Sequence, residues 1–484
     1  MSSEIIADKK LVKFKWNDQV IEAPEGENLL QAALDNGIEV AHYCYHKGLP
    51  IAGVCRMCMV EQTPGPPRPF PSCNAIVAPE IAVRSDTPAV LEAVEWTLQF
   101  HLVNHPLDCP VCDQAGECGL QDYYMQHGQY NSAMEDQKVH KKKVQDIGRG
   151  VMLDAERCIL CTRCTRFTEY VTGTYELGIV GRGDHAEITV HKELENDYAG
   201  NLVDICPVGA LTSKDFRFKQ RVWFLEDVAT TCIGCETGCA VNISQNEVGV
   251  YRVLPKYDHE VNGHWICDDG RSIYKHVSGA GRLIGPLENK SNLFIPITES
   301  ATANSLRGNS QKFILSASLT NEDYANFFSA FKGEKDHVAL YRLPSMGKEF
   351  DGILKRSDKN ANTRGAREAF AKAGMDHSET GLQDFLDNLN AQDVIYLVVP
   401  EIIYDEDHFM TLLKKINKAG KKVALTTTDN LQALDAFDYL LPLPTFLEKD
   451  GHLKNFQNRD RKLSAGRSYG ASNRDIAFYA NWLN

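Results

Sequence analysis

Fifteen cysteines occupy this 484-residue chain, and every one lies between Cys44 and Cys267. That confinement constrains the fold more than any other feature. A disulfide scaffold would spread its bridges along the chain, whereas here a cysteine-rich front precedes a rear part with no thiol at all. Met1 to Lys10 reads MSSEIIADKK, with no apolar core and no cleavage site, so no secretory signal is expected. No apolar run approaches about 18 residues, so no membrane span is expected either. In a reducing compartment, thiols at short fixed spacing bind metal or do redox chemistry.

The thiols fall into four groups. Cys44, Cys55, Cys58 and Cys73 are spaced C-x10-C-x2-C-x14-C. Three thiolates on one loop and a fourth from a distant strand make the plant-type [2Fe–2S] arrangement, with a longer first gap than usual. Gly53 lets that loop close and aim its N–H groups at sulfur. Cys109, Cys112 and Cys118, spaced C-x2-C-x5-C, leave a site one ligand short. His105 is favoured as the fourth ligand over His101, one helical turn earlier, and over a reading in which His105 only caps the preceding helix and an external ligand completes the site; an imidazole in place of a thiolate raises a cluster's potential.

Cys158, Cys161 and Cys164 begin a ferredoxin run whose fourth position is Thr168. The companion run keeps only Cys206-Pro207, its other positions being Asn196, Ala199 and Leu202. These losses match the removal of one cluster from a two-cluster module, leaving one complete [4Fe–4S] site. Cys232, Cys235, Cys239 and Cys267, spaced C-x2-C-x3-C-x27-C, fit a further [4Fe–4S] cluster. Any single group could instead be a zinc tetrathiolate. Together, fifteen cysteines and one histidine make four sets of four with no thiol left over, which accommodates one [2Fe–2S] and three [4Fe–4S] clusters.

Net charge is −13, which disfavours phosphate backbones and anionic lipid surfaces. Residues 10–24 alternate with period two around Asn17-Asp18 and predict a β-hairpin. Residues 27–37 predict a helix with Leu29, Leu30, Ala33 and Leu34 on one face. Five prolines in 63–71 exclude a helix or a central strand. Asp86, Thr87 and Pro88 open an amphipathic helix over 88–104. The tract Lys138 to Lys143 (KVHKKK) reads as a solvated bridge. Beyond residue 285, strands at 312–318, 337–343, 393–399 and 422–427 alternate with helices at 321–332 and 407–419, predicting a doubly wound parallel sheet. Gly279, Gly281 and Gly285 lack dinucleotide-site spacing and read as a loop. No catalytic set of side chains can be named.

Three motifs carry a resemblance: Gly53-Val-Cys-Arg-Met-Cys58, His105-Pro-Leu-Asp-Cys-Pro-Val-Cys-Asp-Gln-Ala-Gly-Glu-Cys118, and Cys206-Pro-Val-Gly-Ala-Leu-Thr212. Across roughly residues 10 to 220 the chain resembles the large iron–sulfur subunits of the peripheral arm of respiratory complex I, the bacterial G and mitochondrial 75 kDa subunits of NADH–quinone oxidoreductase. Beyond that it resembles a molybdopterin-oxidoreductase fold, through Asn262-Gly-His-Trp-Ile-Cys-Asp-Asp-Gly-Arg271 and, more loosely, Asn362-Thr-Arg-Gly-Ala366 and Glu448-Lys-Asp-Gly-His-Leu-Lys-Asn455.

The resemblance implies an α+β front half and an α/β rear. A β-grasp [2Fe–2S] ferredoxin domain would span 1–87, a His/Cys [4Fe–4S] segment 88–147, and a degenerate two-cluster ferredoxin module 148–224. A molybdopterin-oxidoreductase-type [4Fe–4S] segment would span 225–284. A doubly wound domain, shortened relative to many bacterial relatives and without cofactor, would follow over 285–484. The chain would be one subunit of an NADH:quinone oxidoreductase, with no complete active site and no flavin, NAD or molybdopterin of its own. Electrons would enter from a flavin- and NADH-binding subunit and pass the Cys44, Cys158 and His105 sets in that order. They would leave to a two-cluster ferredoxin-like subunit, with the Cys232 set off the route. A small [2Fe–2S] subunit and quinone-module subunits are further implied partners. The implied location is the cytoplasmic side of a bacterial inner membrane, peripheral through the complex.

Three other readings compete. A molybdopterin-dependent enzyme of the formate dehydrogenase type shares the front end, but no cysteine after Cys267 is available to molybdenum. An iron-only hydrogenase needs further cysteines, and all fifteen are assigned. A zinc-bound scaffold does not explain the paired losses in the third group.

Overall fold

The computed structural model describes residues 10–132, 134–279, 281–307, 310–470 and 474–482. The chain divides into two compact units, Met1–Trp223 and Phe224–Asn484.

In the first unit, β1 (Leu11–Trp16) and β2 (Gln19–Pro24) form the antiparallel hairpin that the alternation predicts, with Val12, Phe14 and Trp16 facing inward. Asn17, with φ 53°, makes the turn, a conformation asparagine tolerates. Helix α1 (Leu29–Asp35) begins where the Asn28 side chain accepts the Gln31 N–H, and buries Leu29, Leu30, Ala32 and Ala33. Strands β3 (Met59–Gln62), β4 (Phe70–Pro71) and β5 (Ala82–Arg84) complete a sheet in the order β2-β1-β5-β3-β4. The proline-rich segment is a loop that ends in β4 at the sheet's edge, where a missing N–H costs least. Phe14, Trp16, Leu30, Val60 and Val83 form a core that includes Cys58 and Cys73, so two thiols are anchored in the packed core of this domain.

Helix α2 (Pro88–Leu102) is capped by the Thr87 side chain and stops two residues short of the predicted end. Helix α3 (Gly119–His127) follows directly on Cys118. Short elements then hold the third cysteine group: β6 (Gln145–Asp146), β7 (Val151–Leu153), α4 (Arg163–Tyr170), the hairpin of β8 (Leu177–Val180) and β9 (Glu187–Val190), α5 (Asn201–Ile205) and β10 (Leu211–Ser213). Sheet order is β10-β7-β6.

The second unit opens with a meander of β11 (Glu226–Thr231), β12 (Ala240–Gln245) and β13 (Val250–Pro255), then α6 (Asp268–Arg271). A hairpin of β14 (Leu287–Lys290) and β15 (Leu293–Pro296), helix α7 (Glu299–Leu306) and strand β16 (Ser310–Ser316) come next. The chain continues through α8 (Asn321–Ala330), β17 (Val338–Tyr341), α9 (Thr363–Ala373), α10 (Glu379–Asp387), β18 (Asp393–Val398), α11 (Glu406–Ile416), β19 (Lys421–Thr426) and β20 (Tyr439–Pro442). The hairpin of β21 (Gly451–Lys454) and β22 (Asp460–Leu463) and helix α12 (Ile476–Trp482) close it.

The large sheet runs β15-β14-β20-β19-β18-β16-β17. Its five strands from β20 to β17 are parallel, as predicted, but β14 and β15 add an antiparallel edge that the alternating pattern does not reveal. Strand β18 is buried on both faces: Val394, Tyr396 and Val398 meet α8, α9 and α12 residues such as Phe327, Phe370 and Tyr479, while Ile395 and Leu397 meet Phe385 of α10 and Phe409 of α11. Both-sided burial is why this strand reads as a continuous apolar run. Gly279 and Gly281 lie in a loop with φ 103° and 94°, matching the loop reading.

Candidate metal centres

In the first set, Cys44, Cys55, Cys58 and Cys73 are all buried. The left-handed turn at Gly53 (φ 67°) aims the Val54 and Cys55 N–H groups at the Cys44 sulfur, and the Tyr43 N–H reaches Cys55 Sγ at 3.4 Å. Cys73 is fixed from the α1 side, where Asn28 Nδ2 donates to its carbonyl at 2.6 Å. The four thiols share protons. Donation from Cys55 and Cys73 holds Cys44 far below the ordinary thiol range, donation from Cys73 brings Cys58 down to about 7, and Cys55 and Cys73 rise correspondingly. Such a site expels its protons when a metal centre binds.

In the second set, His105, Cys109, Cys112 and Cys118 line one cavity. His105 Nδ1 is buried and has no hydrogen-bond partner, an orphaned lone pair or N–H that a neighbouring ligand would satisfy. Burial, then the nearby Lys138 and Arg157 cations, depress this imidazole to about 4, so it is neutral, the form that ligates metal. His101 is placed differently: its Nε2 lies 3.2 Å from the Cys55 carbonyl. The Cys118 sulfur accepts N–H groups of Leu120 and Gln121 in the first turn of α3. Gly209 closes the cavity, because a Cβ there would lie 2.1 Å from Cys112 Sγ.

The third set, Cys158, Cys161, Cys164 and Cys206, lines a cavity whose other walls include Leu153, Ile159, Ile188 and Val208. Leu160 (φ 53°) and Thr162 (φ 64°) take left-handed conformations that coil the three-cysteine loop, a strain usually kept for function. The coil sends the Leu160 N–H to Cys158 Sγ at 3.4 Å, and further N–H groups serve the other three sulfurs. Burial pushes Cys161 and Cys206 up to about 11, Cys158 up to about 12, and Cys164 well above its ordinary value. The positions where the companion cluster's ligands are missing are packed or bonded otherwise. Thr168, Ala199 and Leu202 are fully buried, and Asn196 Nδ2 donates to Glu176.

In the second unit, Cys232, Cys235, Cys239 and Cys267 are buried. Gly234 N–H and Gly270 N–H reach Cys232 Sγ and Cys267 Sγ at 3.4 Å each. A Cβ at Gly270 would sit 3.2 Å from Cys232 Sγ and 3.6 Å from Cys267 Sγ, so glycine keeps that space for sulfur. Burial, then the Cys232 thiol, raises the Tyr404 phenol, whose buried hydroxyl has no partner.

Sequence reading missed the cations that join these sites. The Lys138–Lys143 tract is not a solvated bridge. Lys138 Nζ donates to the carbonyls of Leu102, Val103 and His105 at 2.9–3.0 Å, capping α2 and holding the His105 backbone. Lys143 bonds Asp108 at 2.5 Å and Glu156 at 2.9 Å, and Arg157 Nη2 bonds Asp108 at 3.0 Å. The carboxylates and free carbonyls that recruit these lysines lie 13 to 36 residues away, which composition cannot signal.

Models of four families match: a 2Fe-2S iron-sulfur cluster binding domain over residues 9–88, the NADH-ubiquinone oxidoreductase-G iron-sulfur binding region over 96–133, the ferredoxin-like domain of NADH-quinone oxidoreductase subunit 3 over 148–212, and a molybdopterin oxidoreductase Fe4S4 domain over 225–279. The chain is 40% identical over 268 residues to the G subunit of the NADH-quinone oxidoreductase of Rickettsia bellii, a match covering 54% of this chain and 39% of that protein. It is 38% identical over 296 residues to the NADH-ubiquinone oxidoreductase 75 kDa subunit of Reclinomonas americana, covering 60% and 42%. It is 41% identical over 258 residues to the mitochondrial NADH dehydrogenase [ubiquinone] iron-sulfur protein 1 of Solanum tuberosum, covering 52% and 34%. The matched stretch thus spans well under half the length of each of these relatives. A chain in the crystal structure of an NAD+-reducing [NiFe]-hydrogenase in its H2-reduced state is 27% identical, covering 44% of this chain and 91% of its own, with a TM-score of 0.40. Through its 2Fe-2S and 4Fe-4S domains this chain is homologous to the G and 75 kDa subunits of NADH–quinone oxidoreductase, an oxidoreductase complex of the respiratory chain.

Proposed function

We propose that this chain is an electron-transfer subunit of the peripheral arm of an NADH–quinone oxidoreductase. One [2Fe–2S] cluster would be held by Cys44, Cys55, Cys58 and Cys73. Three [4Fe–4S] clusters would be held by His105, Cys109, Cys112 and Cys118, by Cys158, Cys161, Cys164 and Cys206, and by Cys232, Cys235, Cys239 and Cys267. The observation that carries this reading is the grouping of every thiol into four-membered sets, with an unpartnered imidazole nitrogen in the one set that is a cysteine short. Bound clusters supply one-electron donor and acceptor sites.

The protein's own residues tune those sites. Backbone N–H groups aimed at sulfur favour the more negative, reduced state, while apolar walls around the third set oppose added charge. The finer architecture follows: a β-grasp domain over 1–87, a His/Cys segment over 88–147, a degenerate ferredoxin module over 148–224, a Cys232-set segment over 225–284, and a doubly wound domain without cofactor over 285–484. Partners are the flavin- and NADH-binding subunit, the small [2Fe–2S] subunit, the two-cluster ferredoxin-like subunit and the quinone module. Among the described residues no helix is long and apolar enough to cross a membrane. The proposed location is the cytoplasmic side of a bacterial inner membrane, peripheral through the complex.

His105→Cys tests the ligand assignment. It keeps a [4Fe–4S] cluster but adds a negative ligand, lowering that cluster's potential by on the order of 100 mV in an EPR-monitored redox titration. An unchanged potential would remove His105 from the ligand set.

A further inference from the structure

Arg166 is buried on α4, and among the described residues it has no carboxylate partner. Its guanidinium donates instead to backbone carbonyls. Nη2 reaches the Cys44 carbonyl at 2.6 Å and the Cys161 carbonyl at 3.2 Å, Nη1 bonds the Pro50 carbonyl, and Nε meets Thr162. One side chain therefore ties a ligand of the first set to a ligand of the third, across 122 residues of sequence. Arg163 reinforces the tie through the Tyr45 carbonyl at 2.5 Å and the Ile205 carbonyl at 3.0 Å. Burying a guanidinium among carbonyls alone is costly, and two anionic clusters on either side offset that cost.

We propose that Arg166 is a positioning residue that fixes the Cys44 and Cys158 sets against each other and raises the potentials of both. The inference rests on the cluster assignment above. Reduction adds negative charge to a cluster, so a fixed cation between two clusters favours reduction of each. The fork also gives a short hydrogen-bonded path from Cys44 to Cys161, which a lysine's compact ammonium reproduces only in part.

The test is an EPR-monitored redox titration of the full chain, with iron content measured on each sample. In Arg166→Gln the reduced-to-oxidised ratio of both clusters at a fixed applied potential falls at least tenfold, equivalent to about 59 mV for one electron. The Cys232-set signal stays in place. In Arg166→Lys both ratios fall in the same direction by less. Retained clusters with unchanged potentials in Arg166→Gln, or a shift in only one of the two, would overturn the inference. If Arg166→Gln loses a cluster, Arg166→Lys decides: a joint shift supports the role and no shift refutes it. Absence of iron and sulfide from the unsubstituted protein would instead overturn the cluster assignment.

Discussion

Cys164→Ala removes one [4Fe–4S] signal from the reduced protein's EPR spectrum and lowers its iron by about four atoms per chain. Cys164 stands in the first turn of α4, with its thiol among Cys158, Cys161 and Cys206. Three thiolates leave a four-ligand site open, and apart from the Thr162 hydroxyl, a far weaker iron ligand than a thiolate, the lining offers no replacement: Leu153, Ile159, Ile188 and Val208 carry no donor. The fold itself survives. Deleting one sulfur costs on the order of 1 kcal/mol in cavity terms, while α4 stays held by buried Phe167 and by Arg163 and Arg166 on the first set's loop. The [2Fe–2S] signal therefore persists. In the assembled complex, the proposed order of transfer, Cys44 set to Cys158 set to His105 set, has NADH-driven reduction of the His105 set stop at the missing cluster. A retained third-set signal would place the ligands elsewhere.

Gly209→Ala abolishes the His105-set signal. The added Cβ would fall 2.1 Å from Cys112 Sγ, inside any tolerated contact, and a tight 3.2 Å from Gln114 Cβ. Overpacking of this kind costs about 1–3 kcal/mol when the surroundings can yield, and here what yields is a ligand sulfur. Gly209 sits three residues beyond Cys206, so the segment Cys206-Pro-Val-Gly closes the third set with one end and the second with the other. The expected spectrum keeps the [2Fe–2S] and third-set signals while iron falls by about four. An unaltered His105-set signal would show that the segment is free to move away from Cys112.

The contrast between these residues shows what sequence can carry. Ligand loops are local: three cysteines at x2 spacing coil around one centre, so Cys158, Cys161 and Cys164 can be read together, and Cys206-Pro207 is found because its ferredoxin run survives as a fragment. The hairpin at Asn17 and the strand Asp393–Val398 are legible because alternation and continuous apolarity directly record which faces are buried. Arg166, Lys138 and Gly209 reach partners 33 to 122 residues away, and nothing in their own neighbourhood records the Cys44 carbonyl, the carbonyls at the end of α2 or the Cys112 sulfur that they meet. Lys138–Lys143 has the composition of a solvated face, and only the fold supplies Asp108, Glu156 and the open carbonyls at the end of α2. The meander of β11 to β13 and the β14–β15 hairpin escape for a related reason. They alternate only weakly, their pairing is set by neighbouring strands, and a partly buried edge strand carries little periodic signal.

The central claim is that four cluster sites close on fifteen thiols and one imidazole. Its most direct test is metal and acid-labile sulfide content of anaerobically purified protein, with EPR after reduction. Four filled sites give about 14 iron per chain with similar sulfide, one [2Fe–2S] and three [4Fe–4S] centres, and no zinc or molybdenum. Zinc in place of iron and sulfide would contradict the claim and make these sites structural.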